Sequence, residues 1–171
     1  MTPPDFNTTH WIAWVVLIPL MGSMLCFLWP RRAKLLGMIT AFTTAGAVLA
    51  LYRQLLEQGA IRYAVGGWGA PLGIDLYADG LSVLMLLMSA LVGLGVSFYA
   101  IGYFKWDHAN PAGFWPLWLL MWTGLNGLFL AGDIFNLYVT LELLGLSAVA
   151  LAGSKDALSG AMRYLLVSLR S

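Results

Sequence analysis

The sequence predicts an all-α fold, a polytopic bundle of membrane-spanning helices, and three observations carry that expectation. Of 171 residues, 60% are hydrophobic and only 10% are charged, whereas a water-soluble domain of this length needs a far more polar surface. Mean hydropathy is +0.80. Four stretches free of Asp, Glu, Lys and Arg, and a fifth interrupted only by Glu142, approach the length of about 20 helical residues needed to cross ~30 Å of hydrocarbon. A net charge of +1 without a basic tract leaves no signature of a nucleic-acid partner. The single cysteine, Cys26, excludes an internal disulfide and any multi-cysteine metal site.

The first span runs roughly from Trp11 to Trp29. The stretch before it carries Asp5 and no Lys or Arg, unlike the basic opening of a signal peptide, so a retained anchor is expected. Arg31, Arg32 and Lys34 fill the short loop that follows. By the positive-inside bias they stay cytoplasmic and the N-terminus faces outward. Lys105 and Lys155 then fall on the cytoplasmic side, Arg53 and Arg62 outside. The second span is Leu35 to Tyr52. The connection Arg53 to Asp79 contains Gly66-Gly67-Trp68-Gly69 and Pro71-Leu72-Gly73 between Tyr63, Val65, Ile74, Leu76 and Tyr77, which predicts a short external β-like hairpin.

The third span is Leu81 to Phe104, the fourth Gly113 to Ala131 and the fifth Ile134 to Gly153. Ser82, Ser89 and Gly93 share one side of the third and predict a close-packing seam. Asp79 and Asp133 stand at helix starts, where a carboxylate complements the positive end of the dipole. Trp11, Trp14, Trp29, Trp106 and Trp115 lie near span ends, the positions of interfacial anchors. A sixth element begins near Ala157 and includes Arg163 and Arg170. From Ala157 to Leu169 it would rise only about 20 Å, so it reads as truncated. With no repeat or soluble insert, residues 1–171 are treated as one transmembrane domain.

Glu142 is the residue that points to function. A carboxylate in the middle of a span is costly in hydrocarbon and is seldom kept without a use or a partner. At 100° per residue it shares a face with Phe135, Tyr138, Gly145 and Val149, while Asn136, Thr140 and Ser147 lie opposite. Polar groups on two faces predict a helix inside a bundle. Burial favours the neutral carboxyl and a nearby cation the charged one, so alternation between those surroundings moves a proton; the plainer alternative is permanent pairing with an Arg or Lys. Asn126 fits either a water path or a helix-to-helix hydrogen bond. His108, beside Lys105 and Asp107, fits either a solvated loop or a proton relay. No GxGxxG, phosphate-binding loop, HExxH or CxxC occurs, so no redox or hydrolytic centre and no cofactor is expected on this chain.

Gly66-Gly67-Trp68-Gly69-Ala70-Pro71-Leu72-Gly73-Ile74 followed by Asp79-Gly80-Leu81-Ser82 resembles the antiporter-like subunits of Mrp-type sodium/proton antiporters and membrane-bound hydrogenases. Gly132-Asp133-Ile134-Phe135-Asn136-Leu137-Tyr138-Val139, leading to Glu142-Leu143-Leu144, resembles that family's fifth transmembrane helix. Arg163-Tyr164-Leu165-Leu166-Val167-Ser168-Leu169 is similar to the start of its sixth. The family includes the proton-pumping subunits of respiratory complex I, and the loop motif is nearest to the D-type subunits of Mrp antiporters. The resemblance implies proton or sodium transport across a bacterial-type plasma membrane within a multisubunit complex, NADH:quinone oxidoreductase-like or hydrogenase-linked in some branches. It implies that Glu142 corresponds to the helix-five glutamate, which pairs with a lysine on helix seven. Family members have about fourteen helices and this sequence stops before the seventh, so the expectation is either a fragment of a longer gene product or a separate chain that supplies the missing C-terminal helices. Tyr138, Asn126, Arg163 and His108 are the accompanying proton-path candidates. The competing reading is a non-conducting structural subunit or truncated remnant.

Overall fold

The computed structural model describes residues 11–67, 73–106 and 111–152. Among these, α1 (Trp11–Leu28) is joined by a single 3-10 turn (Pro30–Arg32) to α2 (Ala33–Gln58). The strands β1 (Ile61–Ala64) and β2 (Asp75–Ala78) follow, and then α3 (Gly80–Trp106), α4 (Pro111–Phe129) and α5 (Ile134–Ala152). The sixth element expected from Ala157 lies outside the described residues.

α4 is the centre of the bundle, packed against α1, α2, α3 and α5. Among the described residues, four helical segments, 11–28, 30–58, 80–103 and 134–152, are long and apolar enough to cross a membrane, and α4 is not among them. Its composition explains why. Trp115, Trp118, Trp122 and Asn126 are all buried, and a helix ringed by other helices is selected for packing rather than for lipid solubility.

Glycines create the close approaches. Gly37 of α2 leaves the space taken by the Trp115 ring, and Gly93 of α3 the space taken by the Trp122 ring. Thr40 fills the gap at Gly22, and Thr140 the gap at Gly127. Small residues that let helices approach closely give the van der Waals contact that drives association where lipid offers no hydrophobic gain. Two of the three residues expected to form a seam on α3 do so: Gly93 seats Trp122 and Ser89 reaches α4 through Asn126, while Ser82 stands at the capped start of the helix. Trp115 is not the interfacial anchor its position in the sequence suggested. It is 1% exposed, because Gly37 opens a socket for it.

α2 is longer than its uncharged stretch. It continues past Tyr52 through Gln58, since the exposed Arg53 and Glu57 interrupt hydropathy without interrupting a helix. It ends at Gly59, whose φ of 77° falls in the left-handed region that glycine tolerates. The Gly59 N–H closes the last turn on Leu55 O at 2.8 Å. β1 and β2 then pair antiparallel, Ile61 opposite Ala78 and Ala64 opposite Asp75.

Candidate functional site: the α5 helix and Glu142

The start of α5 is fixed by Asp133. Its Oδ1 accepts from Asn136 N–H at 2.7 Å and its carbonyl from Leu137 N–H at 3.0 Å, an N-cap. Oδ2 accepts from the Asp75 N–H of β2 at 3.0 Å, so one carboxylate caps the helix and ties it to the hairpin. Two further main-chain hydrogen bonds run beside it, Tyr77 N–H to Leu130 O at 2.8 Å and Gly132 N–H to Asp75 O at 2.9 Å, and together they make an antiparallel bridge between Leu76 and Ala131. Gly132 is required there, because a Cβ would stand 2.9 Å from Asp75 O. The Asp75 carboxylate, 4% exposed, pairs with the mostly exposed Arg62 at 2.7 Å. Asp79 caps α3 in the same manner, accepting from Ser82 N–H at 2.7 Å. That bond, first among several, holds its carboxyl below the usual range.

α5 has two unlike faces. Asn136, Thr140 and Ser147 are buried and turn toward α4, with Thr140 against Gly127 and the Leu144 backbone against Gly124. The two hydroxyls bond within their own helix, Thr140 to Asn136 O and Ser147 to Leu143 O, each at 2.8 Å. The Asn136 Nδ2 is buried without a partner among the described residues. The opposite face carries Phe135 and Tyr138, 68% and 61% exposed. Glu142 is half-buried there. Among the described residues it has no hydrogen bond or ion pair. Gly145, one turn on, faces open space. The expectation that α5 lies inside a bundle therefore holds for one face; α4 is the one helix that covers it extensively among the described residues.

The other candidates separate. Tyr138 stands one turn before Glu142 on the same exposed face. His108 and Arg163 lie outside the described residues. Asn126 is fully buried and engaged at both ends of its amide: Nδ2 donates to Val15 O of α1 at 2.9 Å, and Oδ1 accepts from Ser89 Oγ of α3 at 3.2 Å. Pro19 lies inside α1 and has no N–H for the carbonyl four residues before it, which is Val15. Asn126 supplies the missing donor. Of the two roles open to it, the geometry is that of a helix-to-helix bond.

Sequence reasoning missed the Pro19–Asn126 complementarity and the second bond of Asp133. A proline inside an apolar span was the available signal for the first. Nothing local signals the second, because Asp75 and Asp133 are far apart in the chain.

Comparison with known proteins follows the same lines. Residues 68–113 match the family model described as NADH-ubiquinone oxidoreductase (complex I), chain 5 N-terminus. The N-type subunit of the NADH-quinone oxidoreductase of Desulforudis audaxviator is 35% identical over 94% of this chain and 34% of its own length. The D-type subunit of the Na(+)/H(+) antiporter of Bacillus subtilis is 30% identical over 91% of this chain and 33% of its own. A chain of the membrane-bound sulfane sulfur reductase, an archaeal respiratory membrane complex, superimposes with a TM-score of 0.81 at 24% identity over 92% of this chain and 34% of that one; at that identity the likeness concerns the fold. The chain thus spans about a third of the length of the relatives it matches. By sequence and fold together, it belongs with the N-terminal part of the antiporter-like subunits, the family that holds the D-type subunits of Mrp antiporters and the complex I membrane subunits.

Proposed function

We propose that this chain takes part in cation/proton exchange or proton translocation within a multisubunit membrane complex, and that Glu142 is the group that takes up and releases the proton. One observation carries the reading: α5 buries one polar face against α4 and turns Glu142, half-buried and with open space at Gly145, to a side where none of the described residues forms a hydrogen bond or ion pair with it. A carboxylate at that depth needs a complement. Its partner is a basic group from outside the described residues, contributed by helices that follow α5 in the complete subunit or by a neighbouring chain. A carboxylate that gains a proton loses its hold on such a cation, and the freed charge changes the field at the next site along an ion path. Tyr138 lines the same flank. The hairpin and the N-terminus lie on the outer side of a bacterial-type plasma membrane, and Arg31, Arg32 and Lys34 on the inner. The relatives, a sodium/proton antiporter subunit and an NADH-quinone oxidoreductase subunit, support ion movement as the class of activity.

The test is Glu142→Gln in the complete assembly, with proton flux measured in vesicles and complex integrity on a native gel. Gln keeps the shape and removes the titration. Flux should fall at least about tenfold, equivalent to ~1.4 kcal/mol, while assembly is unchanged. Normal flux in an intact complex would favour the non-conducting structural reading instead.

A further inference from the structure

Two grooves on the surface between α1 and α2 share Trp11. The first, about 530 Å³, is lined by Trp11, Trp14, Ile18, Met21 and Leu25 of α1, with Thr40 and Thr43 of α2. Trp14, Ile18, Met21 and Leu25 recur at helical spacing on one face. Thr40 and Thr43 bond their hydroxyls to Leu36 O and Ile39 O at 2.8 and 2.9 Å, so the lining behaves as apolar. From Trp11 to Leu25 the helix rises about 21 Å, somewhat more than the about 15 Å of hydrocarbon in one leaflet. The second groove, about 570 Å³, continues from Trp11 past Leu49 to Arg53, Gln54 and Glu57 near the end of α2.

The order of chemistry along α2 is specific. Leu49, Arg53 and Glu57 follow one another at four-residue intervals, about 6 Å apart along the axis: apolar, then cationic, then anionic. Arg53 and Glu57 form no ion pair with each other, and Arg before Glu is the weaker orientation for pairing within a helix. Among the described residues neither charge has an ion-pair partner, which leaves both open to a ligand. The Gln54 Oε1 is buried with no donor among the described residues. The last carbonyls of α2, the negative end of its dipole, add to the preference for a cation beside Glu57.

We propose that these joined grooves bind a phospholipid with a primary-ammonium headgroup, of the phosphatidylethanolamine type. An acyl chain lies along Trp14 to Leu25, the phosphodiester meets Arg53, and the ammonium donates to Glu57 and the Gln54 oxygen. The sequence apolar, cation, anion along the groove complements the sequence acyl, phosphate, ammonium along the lipid. A quaternary choline has no N–H to give Glu57. A glycerol headgroup places no cation there.

The test uses the complete assembly in vesicles carrying a photoreactive acyl-chain phosphatidylethanolamine, phosphatidylcholine or phosphatidylglycerol, with the labelled peptide spanning Trp14 to Leu25 quantified by mass spectrometry. Phosphatidylethanolamine should label it at least about fivefold above the other two. Glu57→Gln should erase that preference, and Arg53→Gln should lower labelling by both phosphatidylethanolamine and phosphatidylglycerol. Equal labelling by the three lipids in the unaltered assembly, no labelling because protein fills the cleft, or a preference that survives both substitutions would overturn the proposal.

Discussion

Replacing Asn126 by Leu removes the hydrogen bonds to Val15 O at 2.9 Å and from Ser89 Oγ at 3.2 Å with little change of shape. The two losses differ. Ser89 Oγ keeps a partner in Leu86 O at 3.1 Å, whereas Val15 O has no N–H from Pro19 to fall back on. A buried acceptor left without a donor costs ~1–3 kcal/mol, but interhelical bonds in membranes average ~0.6 and reach ~1.7 kcal/mol. The lower range governs here, and Asn126→Leu should cost about 1–2 kcal/mol. Pro19→Ala restores an N–H that can bond Val15 O along α1, so in that background the same substitution should cost only about 0.5 kcal/mol, a coupling near ~1 kcal/mol. The assay is a double-mutant cycle on denaturant unfolding of the assembly in lipid micelles. Costs that add to within ~0.5 kcal/mol would refute the claim that Asn126 completes the broken turn.

Gly93→Leu should lower stability by about 1–3 kcal/mol, because the new side chain occupies the seat of Trp122; Gly95→Leu on the same helix, facing open space, should change it by less than ~0.5 kcal/mol in the same melt. Asp133→Ala should cost about 1 kcal/mol for the lost cap and speed amide exchange at Asn136 and Asp75 together, while Ser82 is unaffected. Asp79, held below its ordinary value of 3.8 mainly by Ser82 N–H, supports α3 at pH above that value. The support is lost as pH falls through the lower folded value. Protection of the Ser82 amide against exchange, taken relative to its intrinsic rate at each pH, should fall over that acid window, and that change should be absent in Asp79→Asn.

The apolar spans were legible because hydrocarbon imposes a length and a composition that the sequence cannot disguise. Their boundaries were less so. Arg53 and Glu57 end an uncharged run but not α2, since a helix can leave the bilayer and continue in the interface. Trp115 illustrates the same difficulty: an aromatic near a span end suits the interface, and only the absence of a side chain at Gly37, in another helix, makes it internal. The two faces of α5 followed from its period alone, and the face assigned to Asn136, Thr140 and Ser147 is the one α4 covers. The two carboxylates at helix starts behave as local chemistry dictates. The tie between Asp133 and β2 and the pairing of Pro19 with Asn126 join residues distant in sequence, which no local pattern reports.

The proposed function requires Glu142 to change its protonation while the complex works. Infrared difference spectroscopy of the complete assembly, with Glu142→Gln subtracted, reads that carboxyl directly. A neutral-carboxyl band that appears and disappears over the pH range of transport is the predicted result. A carboxylate that stays ionised throughout, locked to a fixed cation, would contradict it.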